Sequence, residues 1–287
     1  MFGPVLLCAV IGAAPPPPGR DSDGDGIADE DEDTNHNGVV DPGECDPRQL
    51  DSDHDNVPDA VERLLGSDPT DPNDVPPIPE PLFLDLIRNL GSKRGELEVN
   101  SLASTTYRGR PAVSWGPEVE YAPISGLGLE LEFPMTDRQV EAIKPGAQVT
   151  LGSLAARRLD FGLLGTHEQR LQEPSSFSNL AVVTGVRFSH RVTAITIVGP
   201  SVLVEKNQRP TFGGVLSPTV FLQVNRTATI GLELGFRIDG DGTSEQSALP
   251  QLHLNVDQHV NLQLGMGAAH DHDALRPFTA VRVSWER

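Results

Sequence analysis

Residues 115–133 read WGPEVEYAPISGLGLELEF. On the first arm Trp115, Pro117, Val119 and Tyr121 hold the odd positions, and Glu118 and Glu120 the even ones. Pro123-Ile124-Ser125-Gly126 supplies turn residues. On the second arm Leu127, Leu129, Leu131 and Phe133 alternate with Glu130 and Glu132. Successive side chains of a strand point to opposite faces. The stretch therefore predicts an antiparallel hairpin with one apolar and one polar face.

The same code repeats outward from this hairpin. Val220, Leu222 and Val224 alternate with Phe221, Gln223 and Asn225, and Ile230, Leu232, Leu234 and Phe236 with Gly231, Glu233, Gly235 and Arg237. Val260, Leu262, Leu264 and Met266 alternate with Asn261, Gln263, Gly265 and Gly267, and Val281, Val283 and Trp285 with Arg282, Ser284 and Glu286. Strands are expected to begin near Leu97, Ala112, Gly126, Gly146, Arg158, Asn179, Val192, Gly213, Thr227, Leu249, Gln258 and Pro277. Their length, about nine to eleven residues, is that of a tilted strand crossing a bilayer. The prediction is an all-β chain: an up-and-down antiparallel β-barrel of about twelve strands over 96–287, preceded by an irregular calcium-loop segment.

In such a barrel Leu129, Leu131, Leu232, Leu234, Leu262, Leu264, Val281 and Val283 meet lipid, and Glu118, Glu120, Glu130, Glu132, Glu233, Arg237 and Arg282 face the lumen. If Tyr121 faces Leu127 across the turn, Glu118 opposes Glu130. Such a pair of like charges needs water or nearby cations, and Arg187, Arg237 and Arg282 are the polar-face candidates. The alternative is a β-sandwich that hides the leucine rows between two sheets.

The charge lies elsewhere. The chain has 287 residues and a net charge of −19, yet 20 acids and only two bases, Arg48 and Arg63, stand between Asp21 and Glu80. This balance excludes a nucleic-acid partner, which needs a basic surface. With two cysteines, Cys8 and Cys45, the chain has neither a disulfide framework nor a multi-cysteine zinc site.

The acids are spaced. A calcium loop takes oxygen ligands at positions one, three, five, nine and twelve, a backbone carbonyl at seven and a tight turn at six. Asp21, Asp23, Asp25, Ile27, Asp29 and Glu32 fit, with Gly26 at the turn. So do Asp33, Asn35, Asn37, Val39, Asp41 and Glu44 around Gly38, and Asp51, Asp53, Asp55, Val57, Asp59 and Glu62 around Asn56. A merely solvated acidic linker would not keep these offsets. Because Asp33 follows Glu32 directly, no exit helix separates the first two loops. DSDGDGIADEDED, TNHNGVVDPGE and DSDHDNVPDAVE instead resemble the thrombospondin type 3 repeat, which implies a chain wrapped on Ca²⁺ over about 21–74.

The flanks read as follows. Residues 1–14, MFGPVLLCAVIGAA, resemble a secretory signal peptide cut near Ala13 or Ala14; a buried strand and a lipoprotein using Cys8 are the other readings. Residues 15–20 form a proline spacer. Ala60 to Leu65 is expected as a short helix ended by Gly66. Residues 75–95 are expected as an extended proline-rich linker, with a domain boundary near Pro81 and two energetically separate halves.

RGELEVNSLAS, GPEVEYAPISGLGLELEFPM and HVNLQLGMGAA…FTAVRVSWER, within about 94–287, resemble a family of Gram-negative outer-membrane barrels labelled as transporters or as the outer-membrane protein of the phenol meta-degradation pathway. The resemblance implies outer-membrane lipid around the barrel and passage of small solutes. No nucleophile elbow, phosphate loop or dinucleotide loop is present, so no enzyme is expected. The HDHD run at 270–273 and the DGDG run at 239–242 read as polar loops. The expectation is a calcium-binding envelope protein with an outer-membrane barrel, its calcium segment periplasmic or extracellular. The alternative is a secreted sandwich for adhesion or glycan binding, with the calcium segment as spacer.

Overall fold

The computed structural model describes residues 19–287 except 56, 73, 84–85, 108–112, 155–157, 190, 241–243, 258 and 272–273. The leader, most of the first proline spacer, Asn56 of the third loop, and parts of the DGDG and HDHD runs lie outside the described residues.

Two short helices, α1 (Asp29–Glu32) and α2 (Asp59–Leu65), precede the strands. Gly66 closes α2 with φ 82°, a left-handed conformation open to glycine at no steric cost. The strands follow as β1 (Leu97–Thr106), β2 (Val113–Ile124), β3 (Leu127–Glu132), β4 (Met135–Thr136), β5 (Gln139–Val140), β6 (Ala142–Leu154) and β7 (Leu159–Arg170). They continue as β8 (Ser175–Ser189), β9 (Val192–Glu205), β10 (Thr211–Asn225), β11 (Ala228–Ile238), β12 (Ser244–Asn255), β13 (Val260–Asp271) and β14 (Ala274–Glu286). β4 and β5 form a small hairpin at one rim; the other twelve strands are the barrel.

Each barrel strand pairs antiparallel with its sequence neighbours, and β1 also pairs with β14, so the sheet closes. Leu97 and Arg287 exchange two backbone hydrogen bonds of 2.9 Å at this seam. Closure leaves no free edge in the barrel. The outward positions are apolar and exposed: Leu129 43%, Leu232 45%, Val182 44% and Val283 50%. A sandwich would have buried them, so the sandwich alternative is overturned.

The β2–β3 register differs from the expected one. Tyr121 pairs with Leu129, Glu118 with Glu132 and Glu120 with Glu130, because an irregularity between Tyr121 and Ile124 shifts the arms. Like charges still face one another across the hairpin.

The larger departure concerns 75–95. The core is not barrel side chains alone: Ile78, Leu86, Ile87 and Leu90 share one buried cluster with Leu164, Val183, Ile195, Ile197 and Phe221 of the wall. Leu82 joins a second with Leu249, Phe278 and Ala280. This stretch lies in the lumen, and its expected role as a spacer with few shared contacts is corrected. Its apolar residues are the reason: an extended linker in water would leave Leu82, Leu86, Ile87 and Leu90 exposed, whereas burying such a side chain stabilises by about 1.5–3 kcal/mol.

Candidate functional site: a plugged lumen below an acidic cap

The plug enters at Pro76 and leaves at about Ser92, touching the wall all the way round. The Arg187 guanidinium donates to the Pro76 carbonyl at 2.7 Å and to Asp160 at 2.8 Å. Arg282 donates to the carbonyls of Pro81 (3.3 Å) and Leu82 (3.1 Å) and lies 3.8 Å from Glu80. The Phe83 amide donates to Glu233 at 3.0 Å, and the Phe83 ring lies 5.5 Å from that of Phe278. The Ile87 amide donates to Gln148 at 3.2 Å and the Arg88 amide to Glu120 at 2.9 Å. The Arg88 guanidinium, fully buried, donates to Glu98 (2.7 Å), Glu96 (3.0 Å) and Glu286. Backbone polar groups of a buried irregular segment must find partners, and the wall's charged residues supply them.

Inner-wall glycines make the room. A Cβ on Gly128 would stand 2.3 Å from the Ile87 carbonyl oxygen, and one on Gly265 would stand 2.7 Å from Leu82. Gly146, Gly162 and Gly185 likewise face Ile87, Leu90 and Ile78.

Of the lumen residues read from sequence, Glu118, Glu120, Glu130, Glu233 and Arg282 are buried on the inner face, and Glu132 is partly buried there. Arg237 is half-buried, pairs with Asp239 at 3.0 Å and stacks over Phe177 at 4.7 Å. Of the cations expected to offset Glu118 and Glu130, Arg282 attracts Glu118, whereas Arg187 pairs with Asp160 and Arg237 with Asp239. Lys144 joins Arg282 in that place, 3.3 Å from Glu130 and paired with Glu132, while Asn100 donates to Glu118 at 2.6 Å. Arg88, Lys144, Asn100 and Gln148 were not identified from sequence. The one signal for Arg88 was a lone cation inside the apolar run LFLDLIRNL, 82–90.

Over the strand-terminus end sits the acidic segment. The first loop draws Asp21, Asp23 and Asp25 together, and Asp25 and Glu32 meet Asp59 of the third loop; Asp51, Asp53 and Asp55 form another cluster. In both loops the ninth-position Asp is tied to a serine: Asp29 to Ser22 at 2.7 Å, and Asp59 to Ser52 at 2.6 Å. The two loops are joined directly. The Ala60 amide donates to Asp25 at 3.1 Å, and Arg63 donates to the Asp31 carbonyl at 3.2 Å and to Cys45 Sγ at 3.4 Å. Ile27 and Val57 hold position seven, both buried.

The middle loop is different. Asp41 accepts from Asn35 (2.7 Å) and Asn37 (2.8 Å), Glu44 from Thr34 (2.7 Å), and Asp33 from the Gly38 amide (2.7 Å). Its acids accept local hydrogen bonds as those of the other loops do, but none of Asp33, Asp41 and Glu44 is fully buried.

The donor set of loops one and three fits a hard cation. Glu32 is fully buried, and neither carboxylate oxygen has a hydrogen-bond partner; Glu62 is also fully buried, with Oε2 unpartnered. Burial, aided by neighbouring carboxylates, pushes Glu32 up to about 8 and Glu62 up to about 9. Burial likewise pushes Asp53 up to about 7 and Asp25 up to about 6. An oxygen cage that is unfavourable as bare anions is one that a divalent ion relieves.

Between cap and plug lies a cavity of about 180 Å³, lined by Val61, Leu65, Pro76, Arg187, His253 and His259 among others. Val57, Val61 and Val75 form a small core beside it, with Leu65 packed against them.

Comparison with known proteins places this geometry. A family model described as HAEPLYID-like matches residues 78–286. This designation differs from that of the barrel family which the strand motifs resemble. Spelled as residues, HAEPLYID lines up with Ile-Pro-Glu-Pro-Leu-Phe-Leu-Asp at 78–85, where Glu80, Pro81, Leu82 and Asp85 are identical. The described residues of that octapeptide, 78–83, belong to the plug. Among solved structures, the NanC porin aligns with a TM-score of 0.54 at 8% identity, over 66% of this chain and 98% of its own. The KdgM porin aligns at 0.51 and 12% identity over the same shares, also as a complex with disordered oligogalacturonate. These likenesses carry the fold alone: a closed barrel like those of the porins. A search of the curated proteins finds no match.

Proposed function

We propose, for a chain that belongs to the HAEPLYID-like family, a non-enzymatic outer-membrane channel for small solutes whose lumen is closed by its own segment 76–91. The observation that carries this reading is the closed barrel with an exposed apolar outer face and a buried, charged inner one. In water such an outer face would aggregate, whereas in lipid it is the required surface. The Gram-negative outer membrane is the matching location.

The lumen favours neutral or cationic solutes. Its buried wall carboxylates, Glu98, Glu118, Glu120, Glu130, Asp160 and Glu233, outnumber the buried Arg187 and Arg282 together with the partly buried Lys144. KdgM was solved with an oligogalacturonate, a polyanion; this lumen opposes one. The test is the reversal potential across a bilayer in a potassium chloride gradient, for the full chain and for Arg282→Ala, in which the plug is loosened. Cation-selective current in the variant supports the reading. Chloride selectivity, or no current in either protein, contradicts it.

The cap belongs to the periplasmic side in this reading. It sits at the end where β1 begins and β14 ends, and a Cβ on Gly26 would stand 4.0 Å from the Arg226 guanidinium in the β10–β11 turn. Outer-membrane barrels turn tightly on the periplasmic side, and the short turns at Ser125-Gly126 and Arg226-Thr227 are on this end. Ca²⁺ would be held in loop one by Asp21, Asp23, Asp25 and Glu32, and in loop three by Asp51, Asp53, Asp55 and Glu62. It would supply charge neutralisation and rigidity. All three loops keep the calcium spacing, and the buried, unpartnered carboxylates of loops one and three make these two the firmest sites. Calorimetry should find up to three sites with affinities of about 10⁻⁴–10⁻³ M. No heat at millimolar calcium would remove the cap from the proposal.

A further inference from the structure

We infer that calcium in the cap holds the plug in the barrel, so that loss of calcium frees segment 76–91. This rests on the channel and calcium readings above and adds their regulation.

The chain of contacts from ion cage to plug is short. Glu62, an unpartnered buried carboxylate of loop three, lies on α2 beside Val61. Val61 and Val57, the carbonyl residue of the same loop, pack on Val75. Val75 directly precedes Pro76, whose carbonyl receives Arg187 at the barrel mouth. A second tie closes the base: Asp74, just before the plug, pairs with Lys93, just after it. Loop one is fastened to the same helix through Asp25 and Ala60, and through Arg63 and Asp31.

Without a cation, the buried oxygens of Glu32 and Glu62 lose the one partner that ties them to their loops, and the cheapest relief is to separate the loops and let water in. α2 then loses its clamp on loop one, and the Val57–Val61–Val75 core that anchors the plug's entrance opens. What still holds the plug is then the wall's hydrogen bonds to its carbonyls and amides, the Arg88 ion pairs, and the packing of Ile78, Leu82, Leu86, Ile87 and Leu90 against the wall, and the opened mouth exposes this set to water from one end. The tie between Glu286 at the end of β14 and Arg88 in the plug also sits at this mouth, where water reaches first.

The test uses the full chain reconstituted in lipid. Leu82 is fully buried against Leu249 and the Gly265 backbone, so a thiol introduced by Leu82→Cys reports plug exit. Its labelling by a charged, water-soluble maleimide is followed by peptide mass spectrometry, with conductance recorded in parallel. At millimolar calcium the thiol should be protected. Chelation should accelerate labelling at least about tenfold, and readdition of calcium should reverse this. Glu32→Gln combined with Glu62→Gln should abolish the calcium response, labelling at one rate at either calcium level, while circular dichroism shows intact strand content. Equal, slow labelling with and without calcium overturns the inference and leaves the channel reading standing. Calcium-gated labelling with no current in any state supports the inference and contradicts the channel reading. Absence of calcium binding by calorimetry overturns the inference outright.

Discussion

Arg282 ties strand β14, which carries it, to the plug through the Pro81 and Leu82 carbonyls and Glu80 beside them. Removing one partner of a buried charged pair costs about 3–5 kcal/mol. Arg282→Ala should therefore loosen the plug by that order without unzipping β14, whose ladder is backbone. Hydrogen exchange should rise at Leu82 to Leu90 and stay low in the strands; uniform protection would contradict this. Gly128→Val tests the wall from the other side, since its side chain would meet the Ile87 carbonyl. It should release the same peptide from protection. The faces of Glu118, Glu130 and Arg282 were legible from alternation alone, because period two permits only two answers. Their partners were not. Arg88 and Lys144 stand on segments whose approach depends on closure and on a register irregularity that no local spacing encodes.

At the scale of elements, strands expected near Leu97, Val192 and Thr227 begin at Leu97, Val192 and Ala228, because each start is fixed by a turn next to an alternating run. The stretch 75–95 was misread for a physical reason. Its prolines do forbid a helix, as expected, but extended proline-rich chain fits a lumen as readily as it spans a gap. The deciding feature was the burial demand of Leu82, Leu86, Ile87 and Leu90, which has no periodic signature. Adjacent residues of β11 give a paired prediction. Leu232→Arg places a charge on the outer face at a cost of about 2–4 kcal/mol near the membrane midplane. It should lower the yield of barrel refolded into lipid. Glu233→Gln, one residue on, weakens the charged acceptor of the Phe83 amide. It should refold normally and alter plug exchange instead. Equal refolding yields for the two variants would reverse the assignment of faces.

For the whole molecule, the cap packs on the entrance of the plug at Val75, and the proposed calcium sites predict the pH behaviour of the cap. Burial raises Glu32 to about 8 and Glu62 to about 9 in the folded, metal-free cap. Carboxyls raised on folding stabilise the fold while protonated. That contribution is full below the ordinary carboxylate range and is lost as pH rises through about 8–9. Without calcium, cap stability should fall from pH 5 to pH 9, read by proteolysis between residues 19 and 74. With millimolar calcium the fall should vanish, because the ion replaces the protons. A metal-free cap that gains stability as pH rises would contradict the buried-cage description.

The claim beneath all of this is that the leucine rows face lipid around a filled lumen. Spin labels placed singly at Leu232, Val182 and Val283 in the reconstituted chain, and at Leu82 in the plug with calcium present, test it directly through collision with oxygen and with a water-soluble nickel complex. The account predicts high oxygen and low nickel accessibility at the three outer positions, and low accessibility to both reagents at Leu82. High nickel accessibility at the outer positions would place them in water and contradict the membrane barrel, and high nickel accessibility at Leu82 would empty the lumen of its plug.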